Sequence, residues 1–229
     1  MARENDVART INIDPGHVER LILDLGRFGE HSGTGVWRTV YSPEWVAAAN
    51  HFAGWLREAG LAVHHDAVGN VWGKLEGSEP GASIVSGSHI DSQTPGGRYD
   101  GALGAIAALV AVDALAKQFG KPRRTIEVLA LCEEEGSRYA AASLWGSRAI
   151  TGCIEPRELD ELLDGDGVSI RQGMKDAGLD PNAIGSAERN DIDTFIELHI
   201  EQGPVLEAAD LAVGLVTAIN GLRHYSVEL

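Results

Sequence analysis

Between Ser83 and Leu131 the chain reads as strand, helix, strand. SIVSG (Ser83 to Gly87) is a short apolar run, and TIEVLAL (Thr125 to Leu131) is another. Between them, Ala102 to Phe119 is strongly apolar, ends at Gly120 and is followed by Pro122, the stop signals of a helix. Two strands joined by a helical crossover lie parallel in one sheet. Such a pair buries both sheet faces, so it commits its neighbourhood to an α/β architecture.

The flanking sequence continues the alternation. His17 to Phe28 reads as a helix. Ser42-Pro43-Glu44 is a helix start, with a capping hydroxyl, a proline at the first helical position and an acid in the first turn. Trp45, Ala48, Ala49, Phe52, Trp55 and Leu56 then recur at helical spacing up to Gly60. Leu61 to Asp66, Asn70 to Leu75, Thr194 to Ile200 and Ala212 to Ile219 read as strands. Ser143 to Ile150, Pro156 to Leu163 and Ser169 to Ala177 read as helices, and Asp164 to Asn190 is the most loop-like stretch. The expected fold is α/β, a mostly parallel (mixed) sheet with helices on both faces. Tyr225 to Leu229 alternates like a strand, so the chain reads as stopping inside one.

Composition narrows the partners. A formal net charge of −15 over 229 residues argues against nucleic acid or an anionic membrane as a partner. No apolar run is read as a membrane span, and the N-terminus lacks a signal-peptide core. Two cysteines, Cys132 and Cys153, are too few for a disulfide framework, and a reducing cytoplasm is the expected location.

Three distant segments share one arrangement. An apolar strand ends, and an imidazole or an acid follows: His89 after SIVSG, Glu133-Glu134-Glu135 after TIEVLAL, His199 after TFIEL. Sites in open α/β sheets form at the carboxyl ends of strands, so these side chains can share one crevice. Imidazole with carboxylate suits Zn²⁺ or Mn²⁺. Asp100 precedes the helix starting near Ala102, and Gly96, Gly97, Gly101 and Gly104 permit tight turns and close packing there. Asp91, two residues from His89, is placed to accept that ring's second N–H. Each piece has a bland alternative: a surface histidine, a solvated acidic face, an Asp-Gly turn. Their combination favours metal.

GSHIDSQTPGGRYDGALG, CEEEGSRYAAASLWGSRAITG and IELHIEQGPVLE resemble three motif blocks of the M20 metallopeptidase-like amidohydrolases. The branch is the hydantoinase/carbamoylase one, which cleaves ureido groups of allantoate or N-carbamoyl-L-amino acids. VYSPEWVAAANHFAGWLREAGLAVHHDAVGNVWGKLEG leans toward allantoate amidohydrolases. The resemblance implies two divalent ions, Zn²⁺ or Mn²⁺. It makes His89 and His199 first-metal ligands, Asp100 the bridging carboxylate and Glu135 a second-metal ligand. Glu134 becomes the general base, Asp91 the acid that steadies His89, and Gln202 a substrate-pocket residue.

By the same resemblance, residues 1–218 are a catalytic domain lacking its return segment. Residues 219–229 begin a smaller α+β lid through which relatives form homodimers. The second-metal histidine and the lid groups that grip substrate carboxylate lie beyond this sequence, so the second site is expected to be incomplete and an apolar face uncovered. His224 stays unassigned. The implied partner is a small ureido molecule. A dipeptidase or N-acyl-amino-acid deacylase, and a non-catalytic metal-binding fragment, are the alternatives.

Overall fold

The computed structural model describes residues 11–219 and Gly221. In chain order the elements are α1 (Pro15–Leu25), β1 (Glu30–His31), β2 (Gly35–Val36), α2 (Pro43–Glu58), β3 (Ala62–His65), β4 (Val71–Leu75), β5 (Ser83–His89) and β6 (Gly96–Gly97). There follow α3 (Ala102–Phe119), β7 (Ile126–Leu131), α4 (Trp145–Ile150), α5 (Glu158–Glu161), α6 (Ile170–Asp176), a 3₁₀ turn over Pro181–Ala187, β8 (Ile192–Ile196) and α7 (Val205–Ala208).

Local chemistry sets the helix ends. The Ser42 hydroxyl accepts the N–H of Trp45 at 3.1 Å, and Pro43 opens α2. Gly60, just past its end, sits at φ +79°, a backbone state glycine adopts without strain. α2 buries Trp45, Ala48, Ala49, Phe52 and Leu56, the stripe its spacing announced. α3 spans the residues expected of it. By length and composition it is also apolar enough to cross a membrane, so the expectation of no such run was too strict. Here it packs against β5, β7 and α1 as a core helix.

The main sheet has the order β3-β4-β7-β5-β8. β5 pairs parallel with β7 and with β8, whereas β3–β4 and β4–β7 are antiparallel. The sheet is therefore evenly mixed rather than mostly parallel. The helical crossover through α3 makes the β5/β7 pair parallel. β3 and β4 are instead joined by a tight turn, closed by the Asp66 carboxylate on the N–H groups of Val68 and Asn70, and so form a hairpin. A second, three-stranded sheet, β1-β2-β6, is antiparallel.

Alternation along β7 divides the core. Val128 and Ala130 join the large cluster under α1, α2 and α3, while Leu129 joins Trp72, Val85, Leu131 and Ile150 on the other face. The helical cover is thus heavy on one face and light on the other. Strands β5 and β7 approach so closely that a Cβ on Gly87 would lie 1.9 Å from the Leu129 carbonyl oxygen. Gly87→Ala is expected to cost about 3 kcal/mol, the upper end for overpacking, and to lower Tm by roughly 6–12 °C. An unchanged thermal midpoint would refute this contact.

Two expectations change. Asp164 to Asn190 is less loop-like than composition implied, because the Asp180 carboxylate caps the 3₁₀ turn through the N–H of Asn182. The strand expected over Ala212 to Ile219 is irregular, with Leu215 96% and Ile219 91% exposed. Among the described residues no neighbouring strand pairs with it, and an isolated strand leaves its backbone groups unsatisfied. Tyr225 to Leu229 lies outside the described residues.

Candidate metal centre

The three strand ends meet because β7, β5 and β8 are adjacent and parallel. Their carboxyl ends share one edge of the sheet. His89 is the last residue of β5, opposite Leu131, the last of β7. The glutamates follow Leu131 directly, and His199 follows β8.

His89 is 1% exposed. Its Nδ1 lies 3.0 Å from the main-chain oxygen of Asp91. A carbonyl oxygen only accepts, so Nδ1 carries the proton and the neutral ring turns its Nε2 lone pair into the cluster. His199 is arranged alike, its Nδ1 2.9 Å from the oxygen of Ile200. The two Nε2 atoms stand 3.4 Å apart, and His199 Nε2 is 3.2 Å from Asp100 Oδ1. Asp100 Oδ1 and Glu134 Oε2 lie 3.8 and 3.7 Å from His89 Nε2. Two lone pairs and a carboxylate aimed at one another repel unless a cation or a proton sits among them.

That donor set fits a divalent ion. One ligand atom each from His89, Asp100 and His199 lie within 4.8 Å of one another, as do atoms of His89, Glu134 and Glu135. Imidazole nitrogen and carboxylate oxygen are the donors Zn²⁺ and Mn²⁺ take. Glu135 Oε1 is buried without a hydrogen-bond partner, and its Oε2 accepts from Gln93 at 2.7 Å. A buried oxygen left unpaired is costly unless something else satisfies it. Among the described residues, the group around Glu135 has no imidazole besides His89.

The loop after β7 is folded by its own acids. Glu133 is buried, at φ +47°, and its carboxylate accepts the N–H groups of Tyr139 at 2.9 Å and Arg138 at 3.3 Å. Burial, with Asp91 nearby, pushes its carboxyl up to about 8. The acidic run is therefore no solvated face: Glu133 closes the loop and the next two residues face the cluster. The Asp91 carboxylate accepts the N–H groups of Glu134 and Glu135, each at 3.2 Å, and stands 3.7 Å from His89 Nδ1. It orients the glutamates more directly than the histidine, whose ring is held by the Asp91 main chain. Burial raises the proton affinity of Glu134, against the pull of His89. Burial disfavours a charged His89, but Asp91, Glu134 and Glu135 outweigh it and raise its proton affinity.

Gln202, expected at a substrate pocket, donates its amide to both oxygens of Asp100, at 3.1 and 3.0 Å. Gln93 was not anticipated, although it stands within the quoted histidine–aspartate stretch. Gly101 and Gly104 bring α3 against the site. A Cβ on Gly101 would lie 2.4 Å from His89 Nε2, and one on Gly104 would lie 2.0 Å from the Leu198 oxygen, beside His199.

Comparison with known proteins places the chain in a family. Residues 60–229 match the peptidase family M20/M25/M40. Allantoate amidohydrolase of Escherichia coli (strain K12) is 43% identical over 214 residues, covering 93% of this chain and 52% of the relative. N-carbamoyl-L-amino-acid amidohydrolase of Paenarthrobacter aurescens is 43% identical over 215 residues, again 93% of this chain and 52% of the relative. A hydantoinase/carbamoylase family amidase from Burkholderia ambifaria superposes with a TM-score of 0.79 at 31% identity, over 87% of this chain and 48% of that one. The chain spans about half the length of the curated relatives it matches. The hydantoinase/carbamoylase amidase and the two amidohydrolases are what the chain is similar to, and by the family match over residues 60–229 the chain belongs to peptidase family M20/M25/M40.

Proposed function

We propose that this chain carries the catalytic centre of a metal-dependent amidohydrolase that cleaves a ureido C–N bond, of allantoate or of an N-carbamoyl-L-amino acid. The observation that carries the reading is the pair of imidazole Nε2 atoms 3.4 Å apart beside Asp100. The relatives named for ureido substrates supply the substrate class.

His89, His199 and Asp100 would hold the first ion, and Glu135 would help hold a second. Bound Zn²⁺ or Mn²⁺ supplies Lewis-acid polarisation of the substrate carbonyl and a water acidic enough to ionise near neutral pH. Glu134 then acts as general base. Its burial raises its proton affinity toward the range where a base both accepts and returns a proton. It takes the proton of the attacking water and delivers it to the leaving nitrogen as the C–N bond breaks. The carbamate released decomposes to CO₂ and ammonia. Asp91 keeps Glu134 and Glu135 in register through their backbone N–H groups. Gln202 steadies Asp100 from the open side.

A second reading, hydrolysis of an ordinary amide as in a dipeptidase or deacylase, is favoured by the matched peptidase family. Ammonia and amine release from allantoate, N-carbamoyl-L-amino acids and an N-acetyl-amino acid separates the two. Ammonia from the ureido compounds alone supports the proposal, and cleavage of the N-acetyl compound alone overturns it.

Acid should empty the site. The His89 proton is held above the ordinary imidazole value of 6.5, so it competes with the cation at near-neutral pH. Affinity is expected to be full above that raised value and to fall as pH drops through it, by up to about tenfold per unit for each proton displaced. Isothermal titration with Zn²⁺ across pH 8 to 5.5 measures this, and a flat profile contradicts it.

A further inference from the structure

Arg38 stands behind the metal centre, and its role rests on that centre's proposed function. Arg38 is 2% exposed. Its guanidinium gathers three main-chain carbonyls. Nε donates to Ile90 at 2.6 Å, and Nη1 donates to Leu25 at 2.8 Å and Phe28 at 3.0 Å. Its own backbone is tied to the same place. Arg38 N–H donates to the Ser92 hydroxyl at 3.0 Å, and Ser92 N–H donates to the Arg38 carbonyl at 3.1 Å.

The position of these bonds is informative. Ile90 lies between His89 and Asp91, and Ser92 follows. Arg38 thus clamps the main chain on both sides of Asp91 to the end of α1. The Asp91 carbonyl is what orients the His89 ring, and the Asp91 carboxylate is what receives the N–H groups of Glu134 and Glu135. A buried cation held by carbonyls is expensive to keep. Burial pulls its proton affinity down to about 10, and the Asp91 charge partly restores it.

We propose that Arg38 is a positioning residue of the metal centre: by clamping Ile90 and Ser92 it fixes the Asp91 main chain, and through it the His89 ring and the two glutamates. It touches neither ion nor substrate. Its fork satisfies three carbonyls at fixed angles, which a lysine ammonium cannot reproduce.

The test uses Co²⁺ as probe, with affinity from competition against a chelator, the visible spectrum of the bound ion, and Tm. Arg38→Met is expected to weaken Co²⁺ at least about tenfold and to alter the spectrum, as loss of a group that orients ligands does. Arg38→Lys should fall between Arg38→Met and the parent. Leu56→Ala, on the buried face of α2, supplies a comparable loss of Tm and should leave affinity and spectrum unchanged. Should neither Arg38 variant fold, Ser92→Ala decides, with a smaller loss in the same direction. Parent affinity and spectrum in the Arg38 variants, or in Ser92→Ala where it decides, overturn the inference, as does an equal loss in Leu56→Ala. A parent protein that binds no cobalt overturns the metal-centre reading and this inference together.

Discussion

Gly101→Ala is expected to abolish tight binding of divalent cations although it removes no ligand. The new Cβ would lie 2.4 to 2.5 Å from Cδ2, Nε2 and Cε1 of His89, distances that no relaxed structure holds. The ring cannot retreat, because Nδ1 is bonded to Asp91 and the surroundings are closely packed. Gly101 also sits at φ +62°, which costs an alanine about 1 kcal/mol or more. The backbone must therefore shift, carrying Asp100 and the start of α3 with it. Asp100 moves while the His89 ring is crowded, so two ligands are disturbed at once and the loss of Zn²⁺ affinity should exceed about 100-fold, the upper range for a single outer-sphere change. Calorimetric titration checks it. Gly97→Ala is the control, since that Cβ would meet nothing within 4 Å.

Glu134→Gln should separate chemistry from metal binding. The amide is close to the carboxylate in shape but accepts no proton from water at neutral pH. Turnover of the metal-loaded protein is expected to fall about 10²–10⁴-fold, the range attributed to a general base. Cation affinity should change only a few-fold, because His89, Asp100 and His199 remain close together. Glu135→Gln should do the opposite to the second ion, removing charge from the carboxylate whose Oε1 is buried and unpaired. Parallel assays of ammonia release and metal content distinguish the two. Equal loss of metal in both variants would make Glu134 a ligand rather than the base.

Much of this geometry was legible in the sequence because short-range signals encode it. The crossover between SIVSG and TIEVLAL made β5 and β7 parallel neighbours, and hence put His89 and the glutamates on one edge. The α2 start was written in Ser42-Pro43-Glu44. What was not legible depends on partners distant in sequence. The antiparallel placing of β4 against β7 is set by packing, with no local signature. The apolar, β-branched composition of Ala212 to Ile219 suits a strand, yet composition alone supplies no ladder partner. Nothing local marks Arg38, because only the fold brings it to Ile90, 52 residues away. The division of labour at Asp91 was hidden too: its carbonyl holds the histidine while its carboxylate holds the glutamate backbone.

The most direct test of the centre itself is X-ray absorption at the zinc edge of the protein loaded with one equivalent of Zn²⁺. The account predicts a shell of nitrogen and oxygen at about 2.0–2.2 Å, with the outer-shell scattering of two imidazoles that His89 and His199 supply. Loss of one imidazole in His199→Ala should follow. A shell containing sulfur, or one of water and carboxylate oxygen without imidazole, would contradict it.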